Sequence, residues 1–214
     1  MNKLATILFL VVSSLSPYVH YCQSLSAEGY LDLVYEKVSS SPAVAIAFNY
    51  KLNNTEANIS QSTPGTIYLS GVKYRLDLFG TQQLFDGVYT YTIIPDNEEV
   101  IISTVKESGE EELDPSTLFS FYKEGYRIEF KSPPSTDKAV ISLFPIDSTS
   151  EITEIEVTIN PQLGELRKLS QVGENGTTTT LELTSTRFEK TINAEQLLFD
   201  RSYYESLGYY FIEE

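Results

Sequence analysis

One imidazole and one thiol are available to this chain, His20 and Cys22, two residues apart near the N-terminus. Such groups serve nucleophilic catalysis or zinc ligation when a fold brings partners to them. Their setting points elsewhere. Lys3 precedes the apolar run Leu4–Val12, and Ser13, Ser14 and Pro17 follow it. A basic start, a short apolar stretch and small polar residues make a secretory signal peptide. The run is shorter than the roughly 20 apolar residues of a spanning helix. Once the signal is removed, Ser-His-Asp and Cys-His catalysis each lose a required member. His/Cys metal sites lose their ligands in the same step. Carboxylate, Lys and Tyr chemistry remains, and the run Glu110-Glu111-Glu112 reads as a solvated acidic linker. A non-catalytic protein without metal or cofactor is expected.

Charge narrows the partners. The chain carries 15 basic and 30 acidic residues, a net charge of −15. Nucleic acid is excluded as a partner, since phosphate binding needs a basic footprint. Adhesion to an anionic bilayer is disfavoured for the same reason. Cys22 and Ser26 both offer a last signal residue. Cleavage after Cys22 leaves residues 23–214 as one domain with room for a sizeable core, exported to the periplasm. In an alternative, Cys22 is kept and lipidated, which makes the protein a membrane-anchored acceptor. Val19-His20-Tyr21 ahead of it are bulky where a lipidation signal has small residues.

The elements follow from hydrophobic periodicity. Leu31, Val34, Tyr35 and Val38 recur at helical spacing, and Ser39-Ser40-Ser41-Pro42 stops the helix. From residue 43 the period becomes two, with Val44, Ile46, Phe48 and Tyr50 on one face. Strands are expected over 65–69 and 72–79, joined at Ser70-Gly71, then near 82–85, 88–94 and 100–105. Asp114-Pro115 opens a helix that Gly125 closes, with Leu118, Phe119, Phe121 and Tyr122 apolar almost all round. Such a helix plugs or covers a cavity, or else packs as a small helix on the sheet. Further strands are expected over 126–131, 138–144, 152–159, 166–172 and 177–188, with Asn175-Gly176 as a hairpin turn. A helical turn over 193–199 and an aromatic tail from Tyr203 to Phe211 complete the chain. The pattern is mostly β with helices (α+β), an antiparallel meander.

Several of these segments, in this order, resemble one family. Gly65-Thr66-Ile67-Tyr68-Leu69 followed by Lys73-Tyr74-Arg75 is similar to the G-x-L-[WY] strand and K-[FY]-R of the LolA-type lipoprotein carriers. Asp86-Gly87 with Tyr89-Thr90-Tyr91 resembles that family's D-G-x-x-x-W segment, Tyr91 standing where the family has tryptophan. Asp114-Pro115-Ser116-Thr117-Leu118-Phe119 resembles its mid-chain helix, and Asn160–Leu166 its I-D-x-x-T-G-x-[IL] hairpin. Phe188 and Leu197-Leu198-Phe199-Asp200 fit its ending. The likeness spans the mature chain and is greatest to members of Bacteroidetes type. It implies an unclosed antiparallel β-barrel with a helical lid over a hydrophobic cavity. It also implies a monomeric periplasmic carrier of acylated lipoproteins, from an inner-membrane ABC transporter to an outer-membrane acceptor. The arginine that latches the lid in enterobacterial carriers falls on Gly71 here.

For an acyl-chain site the sequence offers Phe48, Ile67, Leu69, Leu78, Leu84, Tyr91, Leu118, Phe119 and Tyr122, with Arg75 as a lid or polar contact. Binding needs only a concave apolar lining, since each buried methylene gains about 0.8 kcal/mol. A different class remains open, a lipid-binding sensor or interaction module on the same fold. Mass spectrometry of the exported protein should find an unmodified N-terminus at Gln23, whereas an acylated Cys22 would identify the anchored form.

Overall fold

The computed structural model describes residues 25–104, 117–191 and 194–214. The signal segment with His20 and Cys22, the run Glu110–Glu112 and Asp114-Pro115 lie outside them. Helix α1 spans Ala27–Ser39, its Ser26 cap accepting from the Gly29 N–H at 3.1 Å. Its apolar stripe is the expected one, with Leu31 and Val34 buried and Tyr35 and Val38 packed against the same core.

The strands are β1 (Ala43–Asn54), β2 (Ile59–Ser70), β3 (Lys73–Leu78), β4 (Thr81–Phe85), β5 (Tyr89–Ile94) and β6 (Glu99–Thr104). After them come β7 (Tyr126–Phe130), β8 (Ala139–Pro145), β9 (Ile152–Asn160), β10 (Glu165–Gly173) and β11 (Thr178–Glu189). A 3₁₀ turn over Ala194–Leu197, helix α2 (Arg201–Ser206) and strand β12 (Tyr210–Glu213) follow. All the strands share one sheet in the order β12-β6-β5-β4-β3-β2-β1-β11-β10-β9-β8-β7. Every neighbouring pair is antiparallel except β12 with β6, which is parallel. β12 and β7 never meet, so the barrel stays open.

Three features depart from the sequence expectation. First, β1 and β2 run on as a paired arm from Lys51↔Ser62 to Asn54↔Ile59. Its residues alternate too little in hydropathy to announce a strand, and the backbone ladder carries them. β3 pairs with β2 only over Thr66–Ser70, so Pro64 sits where β2 is an edge. Second, the described part of the expected 114–125 helix is a turn over 117–120 and a 3₁₀ turn over Phe121–Lys123. Three-residue periodicity eclipses positions i and i+3, and it brings Phe119 and Tyr122 inward together, both buried. Third, the aromatic tail forms α2 and β12. The Asp200 carboxylate caps α2 by accepting from Tyr203 N–H at 3.0 Å. Tyr210 N–H donates to the Glu98 carbonyl at 2.7 Å, which starts the parallel pairing.

The main core lies on the concave face. There α1 crosses β7, β9 and β10, and Tyr30 meets Phe130 edge-on at 5.7 Å. Phe48 is 3% exposed and its ring lies over Gly65, its cross-strand partner. A Cβ added at Gly65 would stand 2.4 Å from Phe48 Cζ, so only glycine lets the ring lie flat there. Gly65→Val should therefore cost about 2 kcal/mol in chemical denaturation through overpacking, with partial recovery when Phe48→Leu is added.

Candidate functional site

Strand register decides which candidate residues can share a site. Leu69 pairs with Tyr74 and Tyr74 with Phe85, while Ile67 pairs with Leu76 and Leu76 with Gln83. These residues face the concave side. The intervening set, Tyr68, Arg75, Leu84, Tyr91 and Ile102, pairs in turn across β2 to β6 and faces the convex side. The structure accordingly brings Phe48, Ile67, Leu69, Leu78, Leu118, Phe119 and Tyr122 together in the concave core. It places Leu84 and Tyr91 in a separate cluster with Ile93 and Val100. The two-residue turn Phe79-Gly80 between β3 and β4 sets this parity, both of its residues having positive φ (+55° and +77°).

On the concave face an apolar cavity lies between α1, residues 118–122 and strands β9 and β10. Leu31 and Val34 form its roof, Leu118, Phe119, Phe121 and Tyr122 its plug, and Val157, Ile159, Leu166 and Leu169 its floor. Its volume is about 20 Å³, room for roughly one water-sized sphere. Of the residues singled out from sequence, Leu118, Phe119 and Tyr122 line it directly. The floor and roof were not singled out, although β9 and β10 read as strands and α1 as an amphipathic helix. Alternation along Ile155, Val157 and Ile159 was the signal that could have found the floor.

The plug is tied to α1 by polar contacts. Tyr122 Oη donates to Asp32 Oδ1 at 2.6 Å, and Lys123 Nζ stands 3.3 Å above the Tyr35 ring. Burial, then the Asp32 hydrogen bond and charge, push the Tyr122 hydroxyl well above the usual phenol range. It stays neutral and donates throughout the physiological range.

The convex face is covered in two ways. Over β4 to β6, Phe199 stacks on Tyr91 at 4.2 Å and 15°, and Tyr204 stacks on Phe199 at 5.5 Å and 10°. Tyr91 also donates to Asp86 Oδ2 at 3.0 Å, and the other oxygen of Asp86 accepts from the Val88 and Tyr89 N–H groups. Burial and the Asp86 bond raise the Tyr91 pKa to about 12. Burial pushes Asp86 up, but the two backbone bonds, the Tyr91 hydroxyl and the Lys73 charge outweigh it and hold the carboxyl below its ordinary value. Arg75 stands on this face, its guanidinium on Asp77 at 3.0 Å and not on the plug. Over β8 to β11 the face is instead charged. Lys131 bridges Glu154 and Glu156, and Lys168 binds Glu156 at 2.7 Å.

Among solved structures, an uncharacterized conserved protein from Thermus thermophilus is similar at a TM-score of 0.58 and 8% identity. That match covers 88% of this chain and 99% of the other. A LolA superfamily protein from Nitrosomonas europaea matches at 0.43 and 10% identity, over 82% and 99% of the two chains. A putative outer membrane lipoprotein-sorting protein domain from Vibrio parahaemolyticus matches at 0.42 and 16%, over 80% and 97%. The fold is shared with the first of these structures, one large unclosed sheet with a helix packed on it. No protein-family model matches the sequence, and no curated protein does. At these identities the likeness is one of architecture, so the sheet fixes where a site can stand and not what fills it.

Phe199 is half-buried and bridges Tyr91 to α2 on the convex side. Phe199→Ala should cost about 2 kcal/mol of stability in urea titrations and leave uptake of a fluorescent acyl probe unchanged. Lost uptake in the folded variant would place the ligand on the convex face instead.

Proposed function

We propose that this chain is a non-catalytic periplasmic carrier that shields the acyl chains of lipoproteins, or of similar lipid-like molecules, on the concave face of its open sheet. The observation that carries the reading is the nature of the cavity's cover. The floor and roof belong to a long strand ladder and a capped helix, whereas the fourth wall is a turn and a 3₁₀ turn, residues 117–123. Displacing Leu118, Phe119, Phe121 and Tyr122 exposes a continuous apolar surface from α1 across β9 and β10. The side chains give up burial that an acyl chain restores at about 0.8 kcal/mol per methylene. No proton transfer or nucleophile is needed, in keeping with a mature chain that lacks His and Cys. The net charge of −15 favours a protein that stays in solution between membranes and does not adhere to their anionic surfaces. In the fuller form of the proposal, an inner-membrane ABC transporter loads the carrier and an outer-membrane acceptor unloads it.

Leu169 is half-buried on the cavity floor. Leu169→Trp fills the space that an acyl tail would take, and should weaken binding of dansyl-undecanoic acid at least tenfold while the far-ultraviolet circular dichroism stays native. The protein purified from its native periplasm should also carry lipids or lipoproteins detectable by mass spectrometry. Empty protein that ignores the probe at every soluble concentration would refute the carrier.

A further inference from the structure

The two edges of the open sheet are finished differently. At β7 the exposed side chains are Arg127 and Glu129, paired with each other, and such charges keep a further strand away. At β12 apolar side chains stand open beside Glu213: Tyr210 is 71% exposed and Ile212 43%. Tyr210 N–H donates to the Glu98 carbonyl and Glu214 N–H to the Ile102 carbonyl. Alternation along the strand turns the backbone of Ile212 towards β6 as well. The N–H and C=O groups of Phe211 and Glu213 therefore face outward, where the sheet ends among the described residues. Outward backbone groups at an edge are a template for another strand.

We propose that β12 is a self-association edge, pairing antiparallel with β12 of a second copy of this chain about a two-fold axis at Ile212. The strand is self-complementary for this pairing. Phe211 exchanges its two backbone bonds with the partner's Glu213, and Glu213 does the same with the partner's Phe211. Ile212 meets its own copy between them, in a non-hydrogen-bonded pair where side chains approach most closely. No glutamate stands directly opposite another. The Arg201 guanidinium lies 4.5 Å over Phe211 and binds Glu213 of its own chain at 3.1 Å. It therefore also stands over the place that the partner's Glu213 takes. The axis keeps convex face beside convex face, and the cavity at β9 and β10 lies far along the strand order, so the pairing is independent of what the concave site binds. Pairing β12 on β7 would instead run head to tail into a filament, and Arg127 and Glu129 stand against it. A strand of four residues buries less than the roughly 1,200 Å² of a stable interface. The dimer is accordingly weak, and the net charge of −15 on each copy opposes it until salt screens the repulsion.

Residues 23–214 contain no cysteine, so Ile212→Cys puts a single thiol at the axis. Non-hydrogen-bonded partners have Cα atoms about 4.5 Å apart, within the span of a disulfide. Under mild oxidation of the mature chain, Ile212→Cys should form a disulfide dimer about tenfold faster than Leu163→Cys, a comparably exposed position between β9 and β10. In sedimentation equilibrium the wild type should move from monomer towards dimer through the micromolar range, and more readily as salt is raised. Ile212→Lys sets two ammonium groups together at the axis and should weaken the association about tenfold, with its circular dichroism unchanged. A wild type that stays monomeric at every concentration and salt level overturns the proposal, as does Leu163→Cys linking as fast as Ile212→Cys. An Ile212→Cys chain that links to a foreign protein in the native periplasm, and not to itself, overturns it too and gives the edge to a different partner.

Discussion

A sheet that stops short of closing has two faces and two edges, and each must be covered or kept polar. The rest of this molecule answers that constraint. On the concave side, α1 and residues 117–123 bury the apolar residues of β1–β3 and β8–β11. On the convex side the two halves differ. The β4–β6 half is apolar and receives Phe199, Tyr204, Tyr209 and Phe211 from the end of the chain. The β8–β11 half carries Lys131, Glu154, Glu156 and Lys168 and faces water directly. At the β7 edge, Arg127 and Glu129 point outward as an exposed ion pair, charges of the kind that discourage another strand from pairing there.

The covers are unequal in how firmly they are built. Helix α1 has a capped start and a stripe that runs its length. The C-terminal cover is a stack of aromatic rings with a strand laid along β6. Residues 117–123 bring few backbone bonds and several large side chains. On the proposed reading, a flexible apolar ligand calls for a rigid frame and a replaceable filling, roles that fall to different parts of the chain. The frame holds the register of the sheet, while the filling contributes volume and the hydrogen bond from Tyr122 to Asp32.

Local pattern made much of this legible and long-range pairing hid the remainder. The stripe of α1, the Asn-Gly hairpin and most strands are statements about neighbours in sequence, and they hold. The β1–β2 arm beyond Lys51 has no such pattern, because its ladder satisfies the backbone without help from apolar side chains. Strand β12 is four residues long and parallel to a strand far back in the chain, so nothing local marks it. The placing of Leu84 and Tyr91 turned on parity. Whether Leu84 or Phe85 faces the concave side depends on the length of the turn between β3 and β4: the two residues Phe79-Gly80 put Phe85 opposite Tyr74, whereas a three-residue turn would put Leu84 opposite Leu76. One residue more in the turn exchanges the faces of every following residue. The helix expected to open at Asp114 failed over its described part for a related reason. Side chains apolar on all sides suit a tight turn that drives every third residue inward more than a helix with one buried stripe.

The parallel pairing of β12 with β6 bears on how the molecule comes together. Nearly all of the sheet grows by adding a strand next to one just made, but β6 cannot receive its outer neighbour until the last strand in chain order is present. The same late segment brings the rings that cover Leu84, Ile93 and Val100. Until it arrives, one edge and one apolar face lie bare together, a combination that invites association with other chains. Assembly of this fold therefore has two long-range seams, β11 along β1, which joins the two runs of strands, and β12 along β6, where a strand of four residues decides whether that edge terminates or recruits a stranger.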